Sequence, residues 1–144
     1  MRCYVQEISE GAKPSPVTPE GVVGTHVSPD GKFVIAANPL NETSLYPIDG
    51  GDPRPVVGLA TGEKVLGWSS NGQTLYVRGA DELPIRVYSL DPISGHKEIV
   101  KEVMPADRAG LILSPKILLT PDGKWYVSEM RRNLTTLFLA NGLK

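Results

Sequence analysis

The chain contains the same kind of turn sequence three times, and this repeat indicates the fold. The three copies are THVSPDGKFV at Thr25–Val34, GWSSNGQTLYV at Gly67–Val77 and LLTPDGKWYV at Leu118–Val127. In the first copy, Pro29 presets φ at ~−65°, Gly31 accepts positive φ, and Ser28 can hydrogen-bond back into the turn. An alternating or apolar segment follows each turn, which is typical of β-strands. The sequence therefore predicts a recurring β-hairpin, with strand A before the turn and strand B after it.

Besides the turn, a second recurring sequence pattern indicates the same repeat. A strand, a glycine-containing turn and a second extended segment, named strands C and D, recur at Tyr4–Val17, Ser44–Val56 and Arg86–Val100. The first strand of this shape returns in TLFLANGLK at 136–144. The turns are 41 and 51 residues apart, and the matching positions Ile8, Ile48, Leu90 and Ala140 are 40, 42 and 50 apart. A near-constant spacing of this length indicates a repeat architecture.

The two patterns together predict an all-β chain of about thirteen strands in a single domain. The predicted units are strands C-D at 1–21, A-B-C-D at 22–63, A-B-C-D at 64–110 and A-B-C at 111–144. Trp68 and Trp125 are predicted to be core anchors on strands A and B. Tyr46, Tyr88 and Phe138 recur at one position of strand C, which also favours packing.

Composition excludes several classes of protein. With 15 basic and 16 acidic side chains among 144 residues, the formal charge is −1, so no clustered basic excess predicts a nucleic-acid partner. The single cysteine, Cys3, cannot form an internal disulfide. No apolar run approaches the ~20 residues that cross a bilayer, and no secretion signal opens the sequence. The isolated chain is therefore expected to be cytoplasmic, while the compartment of any parent protein stays open.

The Ser-Pro-Asp-Gly-Lys turn followed by an apolar strand resembles the TolB-type, WD-like repeats of bacterial β-propellers. The stretch ILLTPDGKWYVSEMRRNLTTLFLANGLK is similar to the closing segment of propellers attached to some bacterial serine/threonine kinases. The resemblance covers essentially the whole chain and implies about three four-stranded antiparallel blades, a partial or half propeller. Family members usually have about six to eight blades. The motifs of a kinase and the Gly-x-Ser-x-Gly elbow of a peptidase are not found in this sequence.

The first and last units are expected to be incomplete blades, which predicts unpaired strand edges. Two chains joined head to tail would complete a six-bladed ring, in which the strand at 136–142 pairs with the partner's segment 14–19 and residues 1–8 are redundant. The alternative is that the chain is part of a larger propeller. The predicted partner is therefore a second copy of the chain or the remainder of such a propeller, with a protein or small molecule as ligand.

Candidate ligand-binding residues are expected in the loops around the channel mouth, because loops on a rigid scaffold often carry function. The predicted ligand-binding residues are His26, Glu63, Asp107, Arg108, Arg131 and Arg132. Other charged and amide side chains of these loops are Glu20, Asn41, Glu42, Asp81 and Glu82. His26 lies in an innermost strand, and the Arg131–Arg132 pair could clamp a carboxylate. His96 is predicted to lie on the surface. Two distant histidines and one cysteine make no zinc pattern, so neither a metal nor a cofactor is predicted.

The sequence thus favours a non-catalytic propeller module that binds a protein or ligand. Two alternatives stay open: the propeller part of a hydrolase or peptidase, and a truncated propeller without its own ligand. No catalytic residue is predicted, because no base is placed to activate an exposed serine hydroxyl.

Overall fold

The computed structural model describes residues 1–133 and 135 of the chain, and these residues contain twelve β-strands and no helix. The strands are β1 Tyr4–Val5, β2 Ser15–Pro16, β3 Val23–Val27, β4 Phe33–Ala37, β5 Thr43–Pro47, β6 Arg54–Pro55, β7 Lys64–Trp68, β8 Leu75–Arg78, β9 Ile85–Leu90, β10 Lys97–Val103, β11 Leu111–Leu119 and β12 Tyr126–Arg132. The all-β class is thereby confirmed for this part of the chain. Phe138 and the strand predicted at 136–142 lie outside the described residues.

The strands form four antiparallel sheets in chain order. Sheet 1 is β1–β2, sheet 2 is β3–β6, sheet 3 is β7–β10 and sheet 4 is β11–β12. Within each sheet every strand pairs with its neighbour in sequence. Short connections of this kind are the simplest way to pair consecutive strands, because antiparallel neighbours need only a tight turn.

The three copies of the turn have the same hydrogen bonds, so the predicted A–B hairpin is confirmed at all three places. The N–H groups of Ser28, Ser69 and Thr120 donate to the carbonyl oxygens of Phe33, Thr74 and Trp125 at 2.8, 2.9 and 2.9 Å. The hydroxyl of Ser28 accepts the Phe33 N–H at 2.9 Å and donates to Asp30 at 2.6 Å. Gly31 has a φ of 70°, which a residue with a Cβ adopts only at a cost.

Sheets 1 and 2 share the register of their C and D strands. Tyr4 pairs with Pro16 and Val5 with Ser15 in sheet 1. The matching pairs in sheet 2 are Ser44 with Pro55 and Leu45 with Arg54. Residues 1–8 therefore include a paired strand and are not redundant. The segment 14–19, predicted to pair with a partner's strand, already pairs with β1 through Ser15 and Pro16.

The sheets stack face to face, and the core lies between them. One buried cluster joins sheets 2 and 3; its members are Ile35, Leu45, Val56, Trp68, Leu75, Val77 and Leu90. A second joins sheets 3 and 4; its members are Ile85, Val87, Val103 and Ile117. Sheet 3 is therefore covered on both faces. Sheet 2 meets sheet 3 on one face and contacts Cys3, next to sheet 1, on the other, while sheet 4 packs against sheet 3 among the described residues.

The A strands lie next to one another, since β3 contacts β7 and β7 contacts β11. The turns also meet: the Ser70 N–H donates to the Pro121 carbonyl at 2.7 Å. A Cβ added to Gly72 would lie 3.6 Å from the ring of Pro29. Equivalent strands and equivalent turns thus follow one another from sheet 2 to sheet 4.

Candidate interaction surface

Among residues 1–133 and 135, no sheet packs on one face of sheet 4. β11 and β12 pair Leu118 with Val127, Lys116 with Glu129 and Ile112 with Arg131, and paired residues of antiparallel strands share a face. Trp125 precedes Val127 by two residues and lies on the same side. We call this surface, whose members are Ile112, Lys116, Leu118, Trp125, Val127, Glu129 and Arg131, the open face of sheet 4.

Comparison with sheet 2 shows how unusual this face is. Counted from the turn, Val127 occupies the position that Ile35 has in sheet 2. Ile35 is 1% exposed because sheet 3 packs over it, whereas Val127 is 67% exposed. Leu118 and Ile112 are exposed beside it. An exposed cluster of large apolar side chains, at a position that is buried in sheet 2, indicates a candidate interaction site.

The prediction that both tryptophans are core anchors is half right. Trp68 is 8% exposed and belongs to the buried cluster between sheets 2 and 3. Trp125, by contrast, is 75% exposed, so its prediction as a core residue is wrong. It is placed on the open face, where the described residues supply no further sheet to cover it.

Charged side chains border the apolar part of the open face. A groove of about 130 Å³ is lined by Ile112, Lys116, Glu129 and Arg131. Two cations, one carboxylate and one aliphatic side chain suit a protein surface with mixed polarity better than a buried small molecule. This groove contains one of the predicted ligand-binding residues, Arg131.

Arg131 and Arg132 do not form a joint clamp. Successive residues of a strand point to opposite faces, so the two guanidinium groups diverge. Arg132 instead donates to the Asp107 side chain at 2.7 Å and to its carbonyl oxygen at 3.0 Å. The Ala109 backbone N–H and the Arg132 charge lower the pKa of Asp107 below its ordinary value. The loop before β11 is thus tied to β12, and Arg108, which is exposed, lies next to this contact.

Glu63 is engaged inside the fold. Its carboxylate accepts two hydrogen bonds from the Lys97 ammonium, at 2.6 and 2.8 Å, and one from the Ala60 N–H at 2.7 Å. The Lys97 ammonium also lies 5.2 Å from the centre of the Tyr88 ring. These three hydrogen bonds connect the loop that contains Glu63 to sheet 3. A ligand would have to break the ion pair between Glu63 and Lys97 to reach the carboxylate.

The other loop candidates each have a local partner. The pairs are Glu20 with the Met1 amino group, Asn41 with the Asn38 carbonyl, Glu42 with the Asn38 amide, Asp81 with Arg78 and Glu82 with Arg86. The structure therefore brings Asp107 and Arg132 together, while Glu63 and Arg131 belong to separate contacts.

His26 lies where sheets 2 and 3 meet. Its ring carbon Cδ2 would be 3.7 Å from a Cβ on Gly67, and its Nδ1 is buried without a hydrogen-bond partner among the described residues. Desolvation lowers the pKa of His26 below the ordinary 6.5, and a hydrogen bond with the Leu66 backbone opposes part of this shift. The neutral imidazole is thus the form that the fold prefers.

We expect stability to depend on pH through this residue. Since the pKa is lower in the folded state than in the unfolded state, the unfolded chain binds the proton first as the pH falls. The free energy of unfolding should therefore decrease from about pH 6.5 downward and level off below the folded pKa. The pKa values of the Asp30, Asp91, Asp107 and Asp122 carboxyls are lowered, so their contribution to stability is lost at more acidic pH, from about pH 5 downward.

Urea unfolding between about pH 7.5 and about pH 5 measures this effect. The variant His26→Gln should lose the slope in this interval. His96→Gln, at a residue exposed beside Glu98 as the sequence predicts, should keep it. A slope that survives His26→Gln would assign it to another group.

The opposite end of the stack has a second uncovered position. Val27 occupies the place that Trp68 has in sheet 3, and it is 58% exposed. Val27 pairs with Val34, so both side chains point to the side of sheet 1. Sheet 1 reaches this face through Cys3, whose Sγ accepts the Gly24 N–H at 2.9 Å. It thus covers the neighbourhood of Gly24 and leaves Val27 exposed.

These two apolar positions were missed because strand alternation shows which residues share a face, and packing decides whether that face is covered. No local sequence signal distinguishes Val27 and Val127 from their buried equivalents Trp68 and Ile35. No cluster of metal-binding side chains occurs in the described ranges, 1–133 and 135. The same residues contain no helix that could cross a membrane.

No protein-family model and no curated protein matches the chain.

Proposed function

We propose that the chain is a non-catalytic interaction module built from β-propeller blades, and that it acts by packing the open face of sheet 4 against a sheet of a protein partner. The observation that carries the proposal is the contrast between Val127 and its equivalent Ile35. The same position is solvent-exposed in one sheet and buried under a neighbouring sheet in the other.

The blade arrangement is supported by three features. Sheets 2 and 3 each contain four antiparallel strands in consecutive order, as propeller blades do. Their faces pack against each other through apolar side chains. The first strands β3, β7 and β11 lie side by side, as they would around a central channel.

Protein is favoured over a small molecule as the ligand. The apolar side chains of the open face lie on a pair of strands, and the adjoining groove of about 130 Å³ is small for a ligand site. Aromatic residues such as Trp125 often supply the centre of protein interfaces. The charged groups of Lys116, Glu129 and Arg131 would form the polar rim.

Site-specific photo-crosslinking tests this function. A benzoylphenylalanine at position 125 should give a protein adduct in an extract of cells that make the chain, and mass spectrometry identifies the adduct. The same probe at position 40, an exposed loop residue, should give none. Adding Val127→Glu should remove the adduct at position 125, because a carboxylate would then enter a dry contact.

The same photo-crosslinking probe at position 108 distinguishes binding at the open face from binding at the loops around the predicted channel mouth. If adducts form at position 108 and none at position 125, binding uses the loops and the proposal for the open face fails. An adduct at position 125 that persists after Val127→Glu would likewise contradict it.

A further inference from the structure

We propose that the partner of the open face is a second copy of this chain, bound head to tail, so that Val127 of each copy packs against Val27 of the other. This inference rests on the proposed function, since it names the partner of the same face. It differs from a symmetric contact between two sheet-4 faces because each interface joins two different surfaces.

The contact between sheets 2 and 3 supplies the geometry. There, Trp68 on the first strand of sheet 3 and Ile35 on the second strand of sheet 2 belong to one buried cluster. Val27 is the equivalent of Trp68, and Val127 is the equivalent of Ile35. Placing the Val27 face on the Val127 face therefore repeats a packing that the chain already makes within itself.

The surfaces around Val27 and Val127 are both exposed in the single chain, as a contact between two copies requires. Val27 is 58% exposed, because Cys3, the residue before the first strand of sheet 1, contacts sheet 2 at Gly24 and leaves Val27 in solvent. Val127, Leu118 and Trp125 are uncovered on the far side of sheet 4. Each copy thus has one surface of each kind.

Charge favours the same pairing. Residues 111–133 carry four basic and two acidic side chains, whereas residues 1–21, which adjoin Val27, carry three acidic and two basic ones. The N-terminal ammonium, paired with Glu20, balances the excess acidic side chain of residues 1–21. The head-to-tail arrangement therefore places a neutral segment beside the positive one, whereas two sheet-4 faces would bring like charges together. This comparison selects a contact between unlike surfaces.

A head-to-tail contact either closes into a ring or continues into a filament. With two copies, a two-fold axis generates two identical interfaces, and every Val27 and Val127 is covered. A stable dimer buries roughly 1,200–2,000 Å² in total, and here two separate contacts would share that area. Closure at two copies is therefore part of the proposal.

Sedimentation velocity over a wide range of protein concentrations tests it. The unmodified chain should sediment as a dimer. Val27→Glu and Val127→Glu should each raise the dimer dissociation constant by roughly 100-fold or more, because each variant places a charge in both interfaces. Val100→Glu, at an exposed valine on the outer strand of sheet 3, is the matched control and should leave the dimer intact.

A mixture of the two variants gives the decisive result. In a head-to-tail pair of Val27→Glu with Val127→Glu, one interface contains both substitutions and the other contains neither. The mixture should therefore form heterodimers at concentrations where each variant alone is monomeric. Near-ultraviolet circular dichroism verifies that both variants are folded, as expected for substitutions at exposed positions.

Each other outcome overturns the inference. A chain that is monomeric at every concentration, a dimer that Val27→Glu leaves intact, a mixture without heterodimers, or an open-ended polymer would contradict it. The proposed function fails separately: a crosslink from position 125 to a different protein would preserve that function while removing the second copy as the partner.

Discussion

Gly58→Ala is expected to lower the free energy of unfolding by about 3 kcal/mol, because the added methyl group would collide with backbone. A Cβ at this position would lie 2.7 Å from the carbonyl oxygen of Gly95 and 2.8 Å from its Cα. Neither atom can turn away as a side chain would. Gly58 also has a φ of 81°, so the substitution strains its own backbone.

Gly50→Ala is the matched control for Gly58→Ala. Gly50 has a similar φ of 92°, but no atom lies within 4 Å of its added Cβ. It should therefore cost only the conformational strain, about 1 kcal/mol. Urea denaturation of both variants gives the difference. Equal losses would show that the loop after β6 does not touch the turn of sheet 3, where the Val57 N–H donates to the Pro92 carbonyl at 2.9 Å.

Leu75→Ala is expected to cost about 3 kcal/mol, within the range of 2–5 kcal/mol found for such cavities. Leu75 is fully buried and packs with Ile35 and Trp68 between sheets 2 and 3. Removing three side-chain carbons takes away apolar burial and leaves a void, because stacked sheets can collapse only partly.

Leu40→Ala is the matched control for Leu75→Ala, because it makes the same chemical change at an exposed loop residue. Its effect should stay within about 0.5 kcal/mol. Thermal or urea unfolding monitored by circular dichroism measures both. If the two variants lost the same amount, the interface between sheets 2 and 3 would not be the dry core described above.

The turns and strands could be predicted because they depend on local chemistry. Ser28, Asp30 and Gly31 contain the information for their hairpin within four residues, and Ser69 and Thr120 repeat its bonds. The spacing of these turns then assigned the strands on either side. The alternation of β12 could also have shown that Arg131 and Arg132 diverge, since it follows from the strand period alone.

The candidate surface was less accessible to sequence reasoning. Trp68 and Trp125 both lie in apolar segments beside a turn, and the presence of a neighbouring sheet separates the buried indole from the exposed one. Glu63 is predicted from the sequence as a ligand-binding loop residue, and the local pattern does not show its partner Lys97, which is 34 positions away. Contacts of that length depend on how sheets stack, which the local pattern does not contain.

Because sheet 3 is covered on both faces, its strands should be the last to unfold locally. Its amide protons lie between two buried apolar clusters, while those of the hairpin β11–β12 adjoin one such cluster among the described residues. Local opening follows the amount of buried apolar contact. Deuterium should therefore enter the outer hairpins first and reach β8 and β9 last, so that the middle of the stack is the final part to lose its structure.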